Sequence, residues 1–331
     1  MAHRTFIGVI VGALVLAIGA GPAAAQEKTV IKLGWITSDG AQDPYAIGAR
    51  AFKQALEKNA NGKIEVQLYP NRQLGDEKVL VEGMRFGTLD AGIITNALVA
   101  PVEPAYQLND LPFLFANEAQ AQKVLDGPVG QKLAKKIEAK GIIELGFMEG
   151  GFRQMINNVR AVAKPDDVKG VKYRVMQNPV YIDMFSALGG SAIPMAWGET
   201  FTAVQQGTID GLEIPVAVID ANKYFEVTKY LSITNHTYSV IHLMMSKRTF
   251  DKLSPEMKKA VRDAAATATA EQRKASGQNA KDLLAVLQAK GMKVNPIDDP
   301  AVFRAAVKGI YEKYRPSIGA DLMDEALAAA K

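Results

Sequence analysis

The stretch TVIKLGWITSDGAQDPYAIGARAFKQALEKNANGKIEVQLY, residues 29–69, carries two different periods in one run. TVIKLGWI reads as a strand. After it, Asp43 can cap a helix and Pro44 can occupy its first turn. Tyr45, Ala49, Phe52 and Leu56 then recur at helical spacing, and Asn61-Gly62 stops the run. In the closing KIEVQLY, Ile64, Val66 and Leu68 alternate with Lys63, Glu65 and Gln67, the pattern of a half-buried strand. A helix around Asp76 to Phe86 and a strand from Asp90 to Thr95 continue the series. Strands alternating with helices predict an α/β fold with a mainly parallel sheet covered on both faces.

The chain ends bound the rest. Residues 1–25 carry Arg4, an apolar stretch from Phe6 to Ala20 and an exit at Ala23-Ala24-Ala25. A basic head, a short apolar middle and an A-x-A exit predict a cleaved export signal, with the mature chain starting near Gln26 and working in the periplasm. Removing 25 of the 331 residues drops one basic residue and no acidic one, so the formal charge falls from +4 to +3. That balance gives no reason to expect a nucleic acid partner. With no cysteine in the chain, an exported protein of this length has to rely on ordinary cores, and its length favours two domains.

Further along, the spacing predicts one long helical region from Glu118 to Lys140, a strand over IIELGFM, a strand around Tyr173, and helices from Val180 to Leu188 and Glu199 to Gln206. From cap Ser254 and Pro255 a helix-forming run continues to Gly291, interrupted only by Gly277. A helix that long can cross between two domains.

Enzyme chemistry finds little footing. The mature chain has two histidines, His236 and His242, and no H-E-x-x-H pair, which speaks against catalytic zinc. It has no G-x-S-x-G elbow, phosphate loop or dinucleotide fingerprint. Neither catalytic residues, a metal nor a cofactor is expected. One charge is unusual: Arg174 lies inside the apolar strand of DVKGVKYRVMQNP, residues 167–179. On these residues alone it is either a partly exposed strand residue or a cation held in a cleft to meet an anion.

The segments GKIEVQLYPNRQLGDEKVLVEGMRFGTLD (62–90), LPFLF (111–115), GFRQMINNVRAV (151–162), PDDVKGVKYRV (165–175) and PMAWGETFTAVQQGTIDGLEIP (194–215) occur in this order. With them, essentially the whole mature chain resembles the extracytoplasmic solute-binding proteins of TRAP transporters, the family that includes C4-dicarboxylate and sialic acid binders. The resemblance implies a two-domain periplasmic binding protein fold with the ligand cleft between the domains and a long helix spanning both. It places domain I at 27–151 plus 239–276 and domain II at 152–238 plus 277–331, with hinges at the connections.

The resemblance also implies site residues. Arg174 occupies the position whose arginine makes a two-pronged salt bridge to the ligand carboxylate, geometry that a planar guanidinium provides and an ammonium does not. Arg153 in GFRQ matches a second arginine that contacts or orients ligand, and Trp197 in PMAW an aromatic wall. The family's acidic-binder pattern DGxEN offers an asparagine amide where this chain has Ile214, which cannot replace those hydrogen bonds. Ile214 also departs from the branch that binds 2-oxo acids through a cation. Glu213 is retained as a structural or hydroxyl-accepting group. Thr37, Asp39, Asp76, Thr95, Asn96, Gln177 and Asn178 are candidate contacts because strand ends face the crevice. Tyr238 is placed to reach the cleft, and His236 reads as a hinge residue.

The function implied is capture of a small organic acid, first a sugar acid such as a uronate or aldonate, then a C4-dicarboxylate or aromatic acid. A monomer would deliver it by hinge closure to the small and large membrane subunits. The alternative is a ligand sensor that docks on a signalling receptor.

Overall fold

The computed structural model describes residues 1–3 and 28–331. Apart from its first three residues, the export signal read over 1–25 therefore lies outside the described part. The strands are β1 (Thr29–Gly34), β2 (Ile64–Tyr69), β3 (Ala91–Thr95), β4 (Ile142–Asn157), β5 (Lys172–Val175), β6 (Ser191–Pro194), β7 (Gly211–Pro215), β8 (Tyr230–Ile233), β9 (Tyr238–Ser246) and β10 (Lys293–Pro296). They run in the order β2-β1-β3-β9-β4-β7-β5-β6, with β8 on β4 and β10 on β8. The α/β reading from residues 29–69 holds: helix Pro44–Asn59 joins β1 to a parallel β2, and Asp43 accepts the N–H groups of Tyr45 and Ala46 as its cap.

The sheet departs from the mainly parallel expectation at its centre. Both flanks are parallel, β1 with β2 and β3, and β5 with β6 and β7. Between them, β4 and β9 run antiparallel to their neighbours. Expected only over 142–148, β4 is 16 residues long. It pairs with β9 as far as Phe152 and with β7 from Arg153 onward. Register shifts at Glu144/Gly146 and Glu149/Gly151 bend it on the way, as bulges do. The bend at Gly151, where φ is 95°, hands the strand from one half of the sheet to the other just before Arg153.

The single helix expected over 118–140 is two, Glu118–Asp126 and Pro128–Glu138. Pro128 has no N–H and would clash with a carbonyl in a helix interior, so the chain breaks at an extended Gly127 and restarts with proline in its first turn. Gly277 does not break the long helix, which runs Pro255–Ala289 with Ser254 capping Met257 N–H. It lies against helix Pro44–Asn59, β4 and helix Val216–Ala221, and so spans both halves of the sheet. The largest apolar cluster also draws on both halves, with Tyr106, Leu108 and Phe115 beside Tyr181, Phe185 and Tyr314.

β7 reaches its place between β4 and β5 through Gly211. A Cβ there would stand 2.0 Å from the Ile156 carbonyl oxygen and 2.6 Å from Asn157 Cβ. Gly211→Ala is expected to destabilise the protein by about 2–3 kcal/mol, the cost of forcing strands apart in a packed core. Urea unfolding reads it; a loss below about 0.5 kcal/mol, the range of a neutral surface change, would show that β7 carries no such constraint.

Candidate functional site

Two arginines are buried at the junction of the sheet halves, Arg153 at 3% and Arg174 at 4% exposure. Their partners differ. Arg153, just past the bend in β4, donates through Nε to Glu213 Oε2 and through Nη2 to Glu213 Oε1 at 3.0 Å and the Glu213 carbonyl at 2.6 Å. Its Nη1 donates to Ser239 Oγ at 3.2 Å. His236 Nε2 stands 3.3 Å from Glu213 Oε2, and its Nδ1 stands 2.7 Å from Thr234 Oγ1. Burial works against the Arg153 charge, but Glu213 outweighs it and raises the pKa. Burial also works against the Glu213 carboxylate, and there Arg153 and His236 prevail and lower it.

Arg174, near the carboxyl end of β5, has no carboxylate in reach of a salt bridge among the described residues. Its Nε donates to the Met195 carbonyl at 3.0 Å, which leaves both Nη groups on the open side of the fork. Burial lowers its pKa, against the attraction of Tyr224 and Glu213. The guanidinium stands 5.9 Å from the centre of the Trp197 ring. Together they line a cavity of about 30 Å³ with Asp76, Glu77, Leu98 and Gln177. The carboxyl ends of parallel strands converge there, the position where open α/β sheets take ligands.

Glu77 was missed in the sequence, although it carried a signal. It lies three, four and seven positions before Leu80, Val81 and Met84, the buried stripe of helix Glu77–Phe86. A carboxylate on an apolar stripe is costly to bury unless it meets a donor. Glu77 Oε1 accepts the Thr95 N–H at 2.7 Å. Burial pushes its carboxyl up to about 7, opposed by Thr95, Arg174 and Arg153.

Of the residues expected at the site, the structure gathers Arg174, Trp197, Gln177 and Asp76 around this cavity. Thr95 adjoins it through Glu77, with its hydroxyl on the Tyr45 hydroxyl. Arg153 and Glu213 form the neighbouring pair. The others have partners elsewhere. Thr37 donates to Asp43 and Asp39 pairs with Arg50. Asn96 bonds Tyr106, Asn109 and His242. Asn178 caps helix Pro179–Ala187 and donates to Ala97 O and Asp110. Tyr238 packs on Phe115 and Phe152 and donates to Glu149, away from Arg174. Ile214 lies in the apolar cluster with Val204 and Leu212, because successive residues of β7 face opposite ways and Glu213 takes the side of Arg153.

Asp110 is fully enclosed, and burial pushes its carboxyl up to about 7 against the pull of Asn96, Arg153 and Asn178. With a folded pKa above its ordinary 3.8, its contribution to stability is complete below that value and is lost as pH rises through about 7. Urea unfolding of the wild type and Asp110→Asn at pH 5 and pH 8 is expected to show the wild type losing about 2 kcal/mol more than the variant over that interval. Parallel pH profiles would refute the assignment.

The model of the bacterial extracellular solute-binding proteins, family 7, matches residues 37–317. The 2,3-diketo-L-gulonate-binding periplasmic protein YiaO of Escherichia coli is 34% identical over 88% of this chain and 90% of its own. The sugar acid binding protein DctPAm of Advenella mimigardefordensis, solved in complex with galactonate, superposes with a TM-score of 0.89 at 37% identity, covering 92% of this chain and 98% of that one. A TRAP periplasmic solute-binding protein of Polaromonas sp. JS666, solved with D-erythronate, superposes with a TM-score of 0.88 at 36% identity, covering 91% and 99%.

Proposed function

The chain belongs to the bacterial extracellular solute-binding proteins of family 7, and from that premise we propose that it captures a hydroxylated organic acid for a TRAP transporter. The family and its relatives favour capture for transport over the sensing alternative. One observation carries the choice of an acid. Arg174 is a buried guanidinium whose Nε is held by the Met195 carbonyl and which makes no salt bridge among the described residues, whereas Arg153 alongside is matched by Glu213. A buried charge left unmatched is expensive, and a ligand carboxylate removes that cost with two parallel hydrogen bonds.

The rest of the cavity selects among acids. Asp76 and Glu77 line it; their oxygens can accept hydrogen bonds from hydroxyls, and the Asp76 carboxylate repels a second carboxylate brought beside it. This favours sugar acids over C4-dicarboxylates, and Trp197 supplies a face for the carbon skeleton. Galactonate and D-erythronate in the solved relatives are acids of this kind. Residues 1–25 serve as the export signal, the capture site works in the periplasm, and the membrane subunits are the partners. Domains 27–151 plus 239–276 and 152–238 plus 277–331 close over the ligand.

Thermal-shift assays of the chain from Gln26 onward, with galactonate, glucuronate, succinate and benzoate, test the reading. A sugar acid that binds only the native state raises the melting temperature. The shift should vanish in Arg174→Ala. Stabilisation retained in that variant, or confined to uncharged solutes, would overturn it.

A further inference from the structure

The cavity at Arg174, about 30 Å³, has room for about one water or one carboxylate-sized group. The skeleton of an acid held there has to continue past Trp197. Trp197 is also a wall of a second cavity of about 340 Å³, lined by Arg72, Asn222, Lys223, Phe201 and Tyr224 among others and by no acidic side chain. The Asn222 amide is already spent on Ser38, Val218 and Asp43, so two cations and the aromatic faces, without a carboxylate among the lining residues, are what an anion would meet.

Arg72 and Lys223 are exposed, and their backbones are set in an unusual conformation. Asn71, Arg72 and Lys223 all adopt left-handed conformations, with φ of 53°, 61° and 58°. L-residues adopt that region at a cost and do so disproportionately at functional sites. The Arg72 N–H donates to the Trp35 carbonyl at 3.1 Å and the Lys223 N–H to the Asp220 carbonyl at 3.1 Å. Across the cleft, the Ser38 N–H donates to Asn222 Oδ1 at 3.1 Å and the Ser38 hydroxyl to the Ala221 carbonyl at 3.0 Å. The Arg72 guanidinium lies over Gly198, where a Cβ would fall 1.8 Å from its Nη1. Trp197 lines both cavities and joins them, and it packs on the buried Tyr224 of the second.

We propose that the second cavity is a distal anion subsite, and that the ligand is a hydroxylated chain with a carboxylate at each end, one on Arg174 and one between Arg72 and Lys223. The inference rests on Arg174 as the clamp and adds to it the identity of the ligand's far end. A short diacid would not reach the second cavity, since its second carboxylate would stop beside the Asp76 carboxylate.

Galactonate and galactarate separate the possibilities, since they differ only in carrying an alcohol or a carboxylate at the far carbon. Isothermal titration at pH 7.5 would compare them on the wild type, Arg72→Gln, Gly198→Ala and Arg174→Ala. The wild type is expected to prefer galactarate about ten-fold, the size of one charge-assisted contact. Arg72→Gln should lose that preference while keeping galactonate. Gly198→Ala, which displaces the guanidinium without removing it, should lose the preference too. Arg174→Ala should weaken both acids. Equal affinities in the wild type, or a preference that survives Arg72→Gln, would overturn the distal subsite while leaving the Arg174 clamp standing. Failure of the wild type to bind either acid would sink the clamp and the subsite together.

Discussion

Arg174→Ala is expected to weaken binding of the acid by at least about 100-fold, or about 3 kcal/mol, while leaving the ligand-free protein as stable as before or more so. The two halves of this expectation share a cause. In the ligand-free fold the guanidinium is desolvated, gives one N–H to the Met195 carbonyl and meets no carboxylate. Removing an uncompensated buried charge relieves a cost, and the cavity left is small enough for neighbouring side chains and water to fill. In the proposed complex the same group would supply both prongs of the salt bridge, so its loss would fall on affinity. Arg174→Lys should recover little: an ammonium cannot hold Met195 and still present two parallel donors. Titration calorimetry on the acid and urea unfolding without it measure the two quantities. A variant that loses several kcal/mol of stability yet binds normally would make Arg174 a structural residue.

The fold was legible where period and punctuation agreed. Asp43-Pro44 and Ser254-Pro255 mark helix starts that the structure keeps as capped ends. Legibility failed where tertiary pairing overrides local pattern. The sixteen residues of β4 contain five glycine and glutamate positions between Glu144 and Gly151, which read as the end of a strand; in the fold they are the bends that carry it between sheet halves. The antiparallel centre depends on which strands pair, and sequence period does not encode that. At the candidate site, motif placed Arg174, Trp197 and Arg153 at the junction. Position alone was a weaker guide: Asp39 follows β1, yet its side chain pairs with Arg50; Tyr238, read from its place beside His236, opens β9 and donates to Glu149. Glu77 was legible in principle, as the one acid on a buried helical stripe, but its neighbour Asp76 drew the attention that strand-end reasoning gives.

Glu213→Ala is expected to cost about 3–5 kcal/mol, among the largest stability losses available to a single substitution in this chain, because it strands the Arg153 charge in the interior. Glu213 answers Arg153 with both carboxylate oxygens and its own carbonyl, and its removal also leaves His236 without its acceptor. The pair itself is worth far less than the penalty for breaking it. Arg153→Met combined with Glu213→Leu should therefore lie within about 1–2 kcal/mol of the wild type, since apolar residues of similar size can replace a buried ion pair at little cost. The pH dependence follows the same logic. Glu213 is held below the ordinary carboxylate range, and burial holds His236 below its usual value. Groups with depressed folded pKa values contribute stability that is present above the unfolded values and lost as pH falls through the folded ones. Because the double variant keeps the buried His236, both proteins should lose stability as pH falls from 7 to 5. Only the wild type should lose the Glu213 contribution as pH falls further, below the ordinary carboxylate value of 4.5, a slope opposite in sign to that of Asp110. Urea unfolding of the wild type and of the single and double variants at pH 7, at pH 5 and below the ordinary carboxylate value of 4.5 closes the cycle. If the single and double variants are equally damaged, the loss comes from packing around β7 rather than from the stranded charge, and Arg153 is then free to act on ligand directly rather than through its pairing with Glu213.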